Sequence, residues 1–340
     1  MPLSLPTGLS RNTQSASDAR PAFRSGFDPQ ALASRRRSLW VWWHLLSLDA
    51  PTVAIIWCWF FGVVFQLKFP WATLPTLALG TWCVYVADRL LDGWRSTDMA
   101  TLRDRHWFYL RHRKLFVAAW AFAAVPLAYL IFFHVDRQVR TDDIVLCLIG
   151  VVYFLLIHGS RSNPAHSRLF PAWFPKELVV GFLFAIATAV PAWARLHFPI
   201  ASLMPHRIIL LAATFAFGAI CWLNCVAIQV WEDAEADQEV VHTILSGTRP
   251  ENSAPLSPHG LTHYLGRHLI VFTGVVGILG LALTIVFAGT QFDSLFGSVA
   301  ISAGLFIGLV RHSHRFSALS LRIAADAALL TPLLFAVIVC

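Results

Sequence analysis

Residues 207–237 read RIILLAATFAFGAICWLNCVAIQVWEDAEAD. From Ile208 to Trp231 no side chain carries a charge. A helix rises about 1.5 Å per residue, so a run of this length crosses the roughly 30 Å hydrocarbon core of a bilayer. The run then breaks into Asp233-Ala-Glu-Ala-Asp237. A second apolar run, 71–91, breaks in the same way, into Asp88-Arg-Leu-Leu-Asp92. Each ending is Asp-x-x-x-Asp, which on a helix puts two carboxylates on one face a turn apart. Like charges at that spacing repel. Both pairs are expected to sit at helix C-termini, where the macrodipole opposes them as well. The pattern predicts a cationic occupant, and a divalent ion holding a diphosphate is the sharpest choice.

Composition agrees with the first run. Of 340 residues, 57% are hydrophobic and 13% charged, with a mean hydropathy of +0.62. Soluble domains carry about 25% charged residues. The expected class is an all-α, polytopic membrane bundle. The net charge of +7 belongs to loops flanking spans, and nucleic acid is not an expected partner. The six cysteines lie in or beside apolar runs and read as small buried hydrophobes.

Residues 1–38 are polar and without period, and are expected to form a disordered cytoplasmic tail. Residues 39–340 form the membrane domain. Nine spans are expected, at about 43–66, 71–91, 115–134, 142–158, 177–194, 207–231, 268–289, 293–310 and 320–339. With the N-terminus in the cytoplasm, 21 of the 26 Lys and Arg residues fall inside. Lys68, Arg137, Arg140, Arg195 and Arg207 fall outside, in keeping with the positive-inside bias. The acidic pairs then end spans two and six. Both spans are even-numbered, so both pairs reach the cytoplasmic face.

Magnesium takes oxygen ligands, commonly one or two carboxylates plus substrate phosphates. Asp88, Asp92, Asp233 and Asp237 are the candidate metal ligands and catalytic groups. Lys176 heads span five on the same face, and Arg89, Arg95 and Arg161 are further candidates for the diphosphate. Intramembrane polar groups need partners, so Asp326, Asn224 and Gln229 are expected to bond neighbouring helices. Asn224 is deep enough to line a cavity. Asp49, near the start of span one, reads as a helix cap.

The chain resembles the UbiA-type intramembrane prenyltransferases. Val84-Tyr-Val-Ala-Asp88-Arg-Leu-Leu-Asp92 is similar to that family's Asn-x-x-x-Asp-x-x-x-Asp at the end of helix two. Trp231-Glu-Asp233-Ala-Glu-Ala-Asp237 is similar to its Asp-x-x-x-Asp at the end of helix six. Lys176 and the Gly181 stretch match its fifth helix. The family's asparagine falls on Val84, and Tyr85 or Asn224 are the polar groups placed to substitute. The family's Arg-Pro-rich stretch is replaced by the basic-aromatic run 103–114.

The resemblance implies Mg2+-dependent transfer of a prenyl group from an isoprenyl diphosphate to a lipophilic acceptor. It places the chain in a bacterial inner membrane with its site on the cytoplasmic side. Two alternatives stand beside it. One is an ion or solute transporter. The other is a catalytically inactive relative that binds lipid or partners.

Overall fold

A computed structural model describes residues 38–95, 104–160, 176–196, 204–245 and 260–339. Among them every regular element is helical. We number the helices α1 (Leu39–Leu45), α2 (Asp49–Val64), α3 (Thr73–Arg95), α4 (Asp104–Arg111), α5 (Arg113–Phe133), α6 (Arg137–Ser160) and α7 (Lys176–Arg195). There follow α8 (Met204–Leu245), α9 (Gly260–Arg267), α10 (Leu269–Val286), α11 (Asp293–Arg311), α12 (Ala318–Ala327) and α13 (Pro332–Val339). Six stretches, within α5, α7, α8, α10, α11 and α12–α13, are long and apolar enough to cross a membrane. The pair α1 and α2, bent by 91°, makes a seventh if it counts as one span. The chain is a helical membrane protein.

The bend between α1 and α2 is built at Ser47, whose φ is +56°. A left-handed serine is uncommon. Here the Ser47 hydroxyl is buried and hydrogen-bonds to the Tyr109 hydroxyl at 2.6 Å.

One helix end departs from expectation. The helix carrying Asp233 and Asp237 does not stop at the membrane boundary but runs on to Leu245. Ala, Glu and Gln dominate the stretch after Trp231, and they are strong helix formers. The apolar run ends there while the helix continues. The macrodipole therefore bears little on Asp233 and Asp237. It bears more on Asp88 and Asp92, which lie in the last two turns of α3.

The core has two parts. In one, Trp57 of α2 stacks on Phe217 of α8 at 4.1 Å, and its indole N–H donates to the Leu329 carbonyl at 2.8 Å. Phe60, Phe61, Phe296 and Leu295 complete this layer. In the other, Leu223, Val226 and Trp231 of α8 pack with Leu265, Leu269, Phe306, Leu321 and Ala325. Large apolar side chains left exposed on α5 and α10, such as Phe122, Phe133, Ile278 and Ile285, form the outer surface of these spans. Lipid chains are the natural cover for such a surface.

Helices α7 and α8 approach closely because Gly181 has no side chain. A Cβ there would lie 2.5 Å from the Trp222 amide nitrogen and 2.7 Å from its Cα. Backbone cannot retreat as a side chain can, so the helices would have to part. Small residues serve this role at membrane helix interfaces. Gly181→Ala is expected to lower stability by about 1–3 kcal/mol, the usual cost of overpacking. Gly80→Ala, whose Cβ meets only the Leu127 Cδ1 at 4.0 Å, is expected to be near neutral. Thermal unfolding of both variants in detergent checks the contrast.

Candidate functional site

The bend after α1 brings His44 back toward Asp49, five residues on. His44 Nδ1–H donates to Asp49 Oδ2 at 2.7 Å. The other carboxylate oxygen, Oδ1, accepts from the Ala50 amide at 3.0 Å. Asp49 is therefore not the cap expected of it: Leu48 holds the cap position, Asp49 is the first residue of α2, and only one of its oxygens meets a backbone amide, that of its neighbour. The other oxygen faces the bundle interior.

Helix α3 supplies the cation. Arg89 Nη2 lies 3.8 Å from Asp49 Oδ2, and Nη1 donates to the His44 carbonyl at 3.0 Å. The guanidinium also sits over the Tyr109 ring, 5.6 Å from its centroid. Burial lifts the Tyr109 phenol above its ordinary range, while Arg89 and the Ser47 hydroxyl pull the other way.

Helix α12 supplies a second carboxylate. Asp326 Oδ2 lies 3.9 Å from His44 Nδ1, and Asp326 Oδ1 accepts from Asn224 Nδ2 of α8 at 2.9 Å. His44, Asp49 and Asp326 each bring one ligand-type atom within 4.8 Å of the others. His44, Asp49, Arg89 and Asn224 are all buried. Tyr85 of α3 lies within electrostatic reach of Asp49, Asp326, Cys221 and Cys225. This one cluster therefore joins α1, α2, α3, α8 and α12, with α4 closing it through Tyr109.

Four residues before Asp326, Arg322 forms a salt bridge with Glu232, which directly precedes Asp233. Asp326 meets Asn224, eight residues before Glu232. Helices α12 and α8 therefore run antiparallel here, with polar contacts one turn apart on α12 and two turns apart on α8.

The expected site residues separate as follows. Asp88 and Asp233 are half-buried, and Asp233 Oδ1 accepts from Gln229 Nε2 at 2.7 Å, one turn back on α8. The side chains of Asp92, Arg95 and Asp237 lie outside the described residues, although their backbone is helical. Arg161 lies outside them altogether. Lys176 is exposed as the first residue of α7. Its neighbour Glu177 is buried and accepts from Thr262 Oγ1 of α9 at 3.2 Å. Arg89 does not face outward; it is committed to Asp49, the His44 carbonyl and Tyr109. Asn224 is buried and tied to Asp326, as an intramembrane amide needing a partner should be. Tyr85 is half-buried beside the cluster.

Sequence reasoning missed His44 and Tyr109, and gave Asp49 too local a role. Asp326 and Asn224 carried a usable signal, as polar groups in apolar runs that require partners, and they meet each other.

No protein-family model matches the chain, and no curated protein or solved structure matches it either.

Truncating one partner of a buried ion pair leaves the other charge uncompensated, at a cost of about 3–5 kcal/mol. Arg89→Leu is expected to destabilise the protein by that order. Tyr109→Phe, which deletes the hydroxyl that meets Ser47 and Arg89, should cost less, about 1–2 kcal/mol. Unfolding in detergent ranks the two. A reversed order would show that the Asp49–Arg89 pair does not organise this end of the bundle.

Proposed function

We propose that the protein is a membrane-embedded, Mg2+-dependent prenyltransferase of the UbiA type. It would act on an isoprenyl diphosphate and a lipophilic acceptor. The observation that carries this reading is that one polar cluster ties together the two helices bearing the acidic pairs. Arg89, next to Asp88 on α3, pairs with Asp49. Asn224, nine residues before Asp233 on α8, pairs with Asp326. His44 stands between the two carboxylates. Nine residues of helix is about 13 Å. With nine spans and the N-terminus in the cytoplasm, α3 and α8 are the second and sixth spans and run in the same direction. Their acids then rise from the shared cluster toward one cytoplasmic mouth.

The donors fit the metal. Asp88 and Asp233 offer carboxylate oxygen, the hard ligand that Mg2+ prefers. Asp92 and Asp237 follow each a turn later. These four residues would hold Mg2+, which supplies neutralising charge at the diphosphate leaving group. Gln229 orients Asp233 by its hydrogen bond. Exposed Lys176, at the cytoplasmic start of α7, would bind the diphosphate electrostatically. Arg89 holds the cluster together, and through it fixes the turn of α3 on which Asp88 sits. Val84, where the family has asparagine, is exposed on α3. The orienting amide is thus absent from that position.

Transport of a cation or organic solute is a second reading. It is favoured by the buried charged cluster itself, since ionisable groups inside a membrane mark ion and proton pathways. Ion flux into liposomes without any diphosphate would support it.

Purified protein should release diphosphate from an isoprenyl diphosphate in the presence of Mg2+ and a lipophilic acceptor. Asp88→Ala and Asp233→Ala should each lower turnover by about 10²-fold or more, the scale for removing one group that stabilises transition-state charge. A chelator should abolish it reversibly. Full activity in both variants removes this mechanism.

A further inference from the structure

Two carboxylates and one guanidinium meet in the cluster described above. Asp49 lies at the start of α2, Asp326 in α12 and Arg89 in α3. Among the described residues, Asp88 adjoins Arg89 on α3, Arg322 of α12 is bonded to Glu232 of α8, and α7 begins with exposed Lys176 and buried Glu177. The remaining neighbours are neutral in their ordinary states: Tyr85 of α3, Tyr109 of α4, and Asn224, Cys221 and Cys225 of α8. With both acids ionised and His44 neutral, Asp49, Asp326 and Arg89 together carry one net negative charge. A bundle interior disfavours that strongly, because an unpaired buried ion loses its hydration without replacement. One added positive charge makes the cluster neutral. A divalent ion would overshoot and would sit beside the Arg89 guanidinium.

A second observation comes from hydrogen bonding. Asn224 is 6% exposed, and its Oδ1 is buried with no hydrogen-bond partner. Its Nδ2 already donates to Asp326. The vacant group is an acceptor beside a carboxyl. A proton on Asp326 would supply the donor that this amide oxygen lacks. His44, with Asp49 at 2.7 Å and Asp326 at 3.9 Å from the same ring nitrogen, links the two acids.

We infer that His44, Asp49 and Asp326 form a site inside the helical bundle that binds one proton, with Asn224 as its hydrogen-bonding partner and Arg89 as its fixed counter-charge. The site is separate from the acidic pairs and does not depend on prenyl transfer. The folded protein holds a proton that the unfolded chain releases at neutral pH. The sign follows from linkage: stability falls as pH rises wherever the native state binds more protons than the unfolded state.

The test uses the full-length protein in detergent or nanodiscs, without substrate. Infrared difference spectra between about pH 5 and pH 9 should show a carboxylic-acid C=O band at the lower pH that shifts in D2O. Asp326→Asn should abolish this band, while Asp136→Asn, at an exposed pair with Arg195, should leave it intact. The wild-type unfolding midpoint should drop by about 3 °C or more over this range, on the scale of 1 kcal/mol or more. Asp326→Asn carries the neutral form permanently. Its midpoint should therefore show a much smaller drop and exceed the wild-type value at the alkaline end.

Three results overturn the inference. One is a midpoint that falls equally in wild type and Asp326→Asn. Another is a wild-type spectrum without the band. The last is stabilisation by Zn2+, Mn2+ or Na+ at constant pH that Asp326→Asn removes, which would make the occupant a metal ion. If Asp326→Asn fails to fold, the wild-type spectra and cation titrations still decide.

Discussion

The pairing of Asp49 with His44 and Arg89 is the constraint on which this end of the molecule rests. A carboxylate buried among helices must be neutralised where it stands, because no water reaches it. Its partners come from the residue before a sharp bend and from a neighbouring helix. Satisfying Asp49 therefore fixes three things together. The chain must turn at Ser47, α3 must present Arg89 inward, and the short α4 must dock so that Tyr109 covers the guanidinium. Asp326 and Asn224 extend the same requirement to α12 and α8. Six helices, α1–α4, α8 and α12, are locked in rotation about their axes by contacts that lipid-facing apolar surfaces could not specify.

Rotation matters because apolar packing in a membrane is weakly directional. Lipid tails solvate leucine about as well as another helix does, so burial alone does not choose a helix face. Close contacts choose part of it. Gly181 lets α7 lie against the Trp222 backbone, and Trp57 inserts between Phe217 and the Leu329 carbonyl. Polar contacts choose the rest. Gln229 holds Asp233 from one turn back on α8, and Arg89 anchors the turn of α3 next to Asp88.

The class of fold was legible because hydropathy acts over 20-residue windows and needs no partner. Helices occur in the described parts of all nine apolar runs. The end of α8 departs from the expected boundary because loss of hydrophobicity is not loss of helix. Ala234 and Ala236 keep helix propensity high after the lipid-facing pattern stops. Asp49 shows a different limit: an acid at the start of a helix is expected to cap it, but Leu48 stands at the cap and Asp49 bonds only the adjacent Ala50 amide. Nothing in its neighbourhood along the chain says that its other oxygen meets an arginine forty residues away.

By itself, the sequence determined that this is a helical membrane chain, where its apolar segments lie, and that two Asp-x-x-x-Asp spacings follow two of them. Those features are local, set by side-chain hydropathy and the 3.6-residue period. The tertiary structure alone decided that Arg89 turns inward, that His44 stands between Asp49 and Asp326, and that Asn224 reaches Asp326 across 102 residues. Those depend on which helix faces meet. Buried charges settle that only when the bundle is assembled, since each must find its opposite where water cannot replace it.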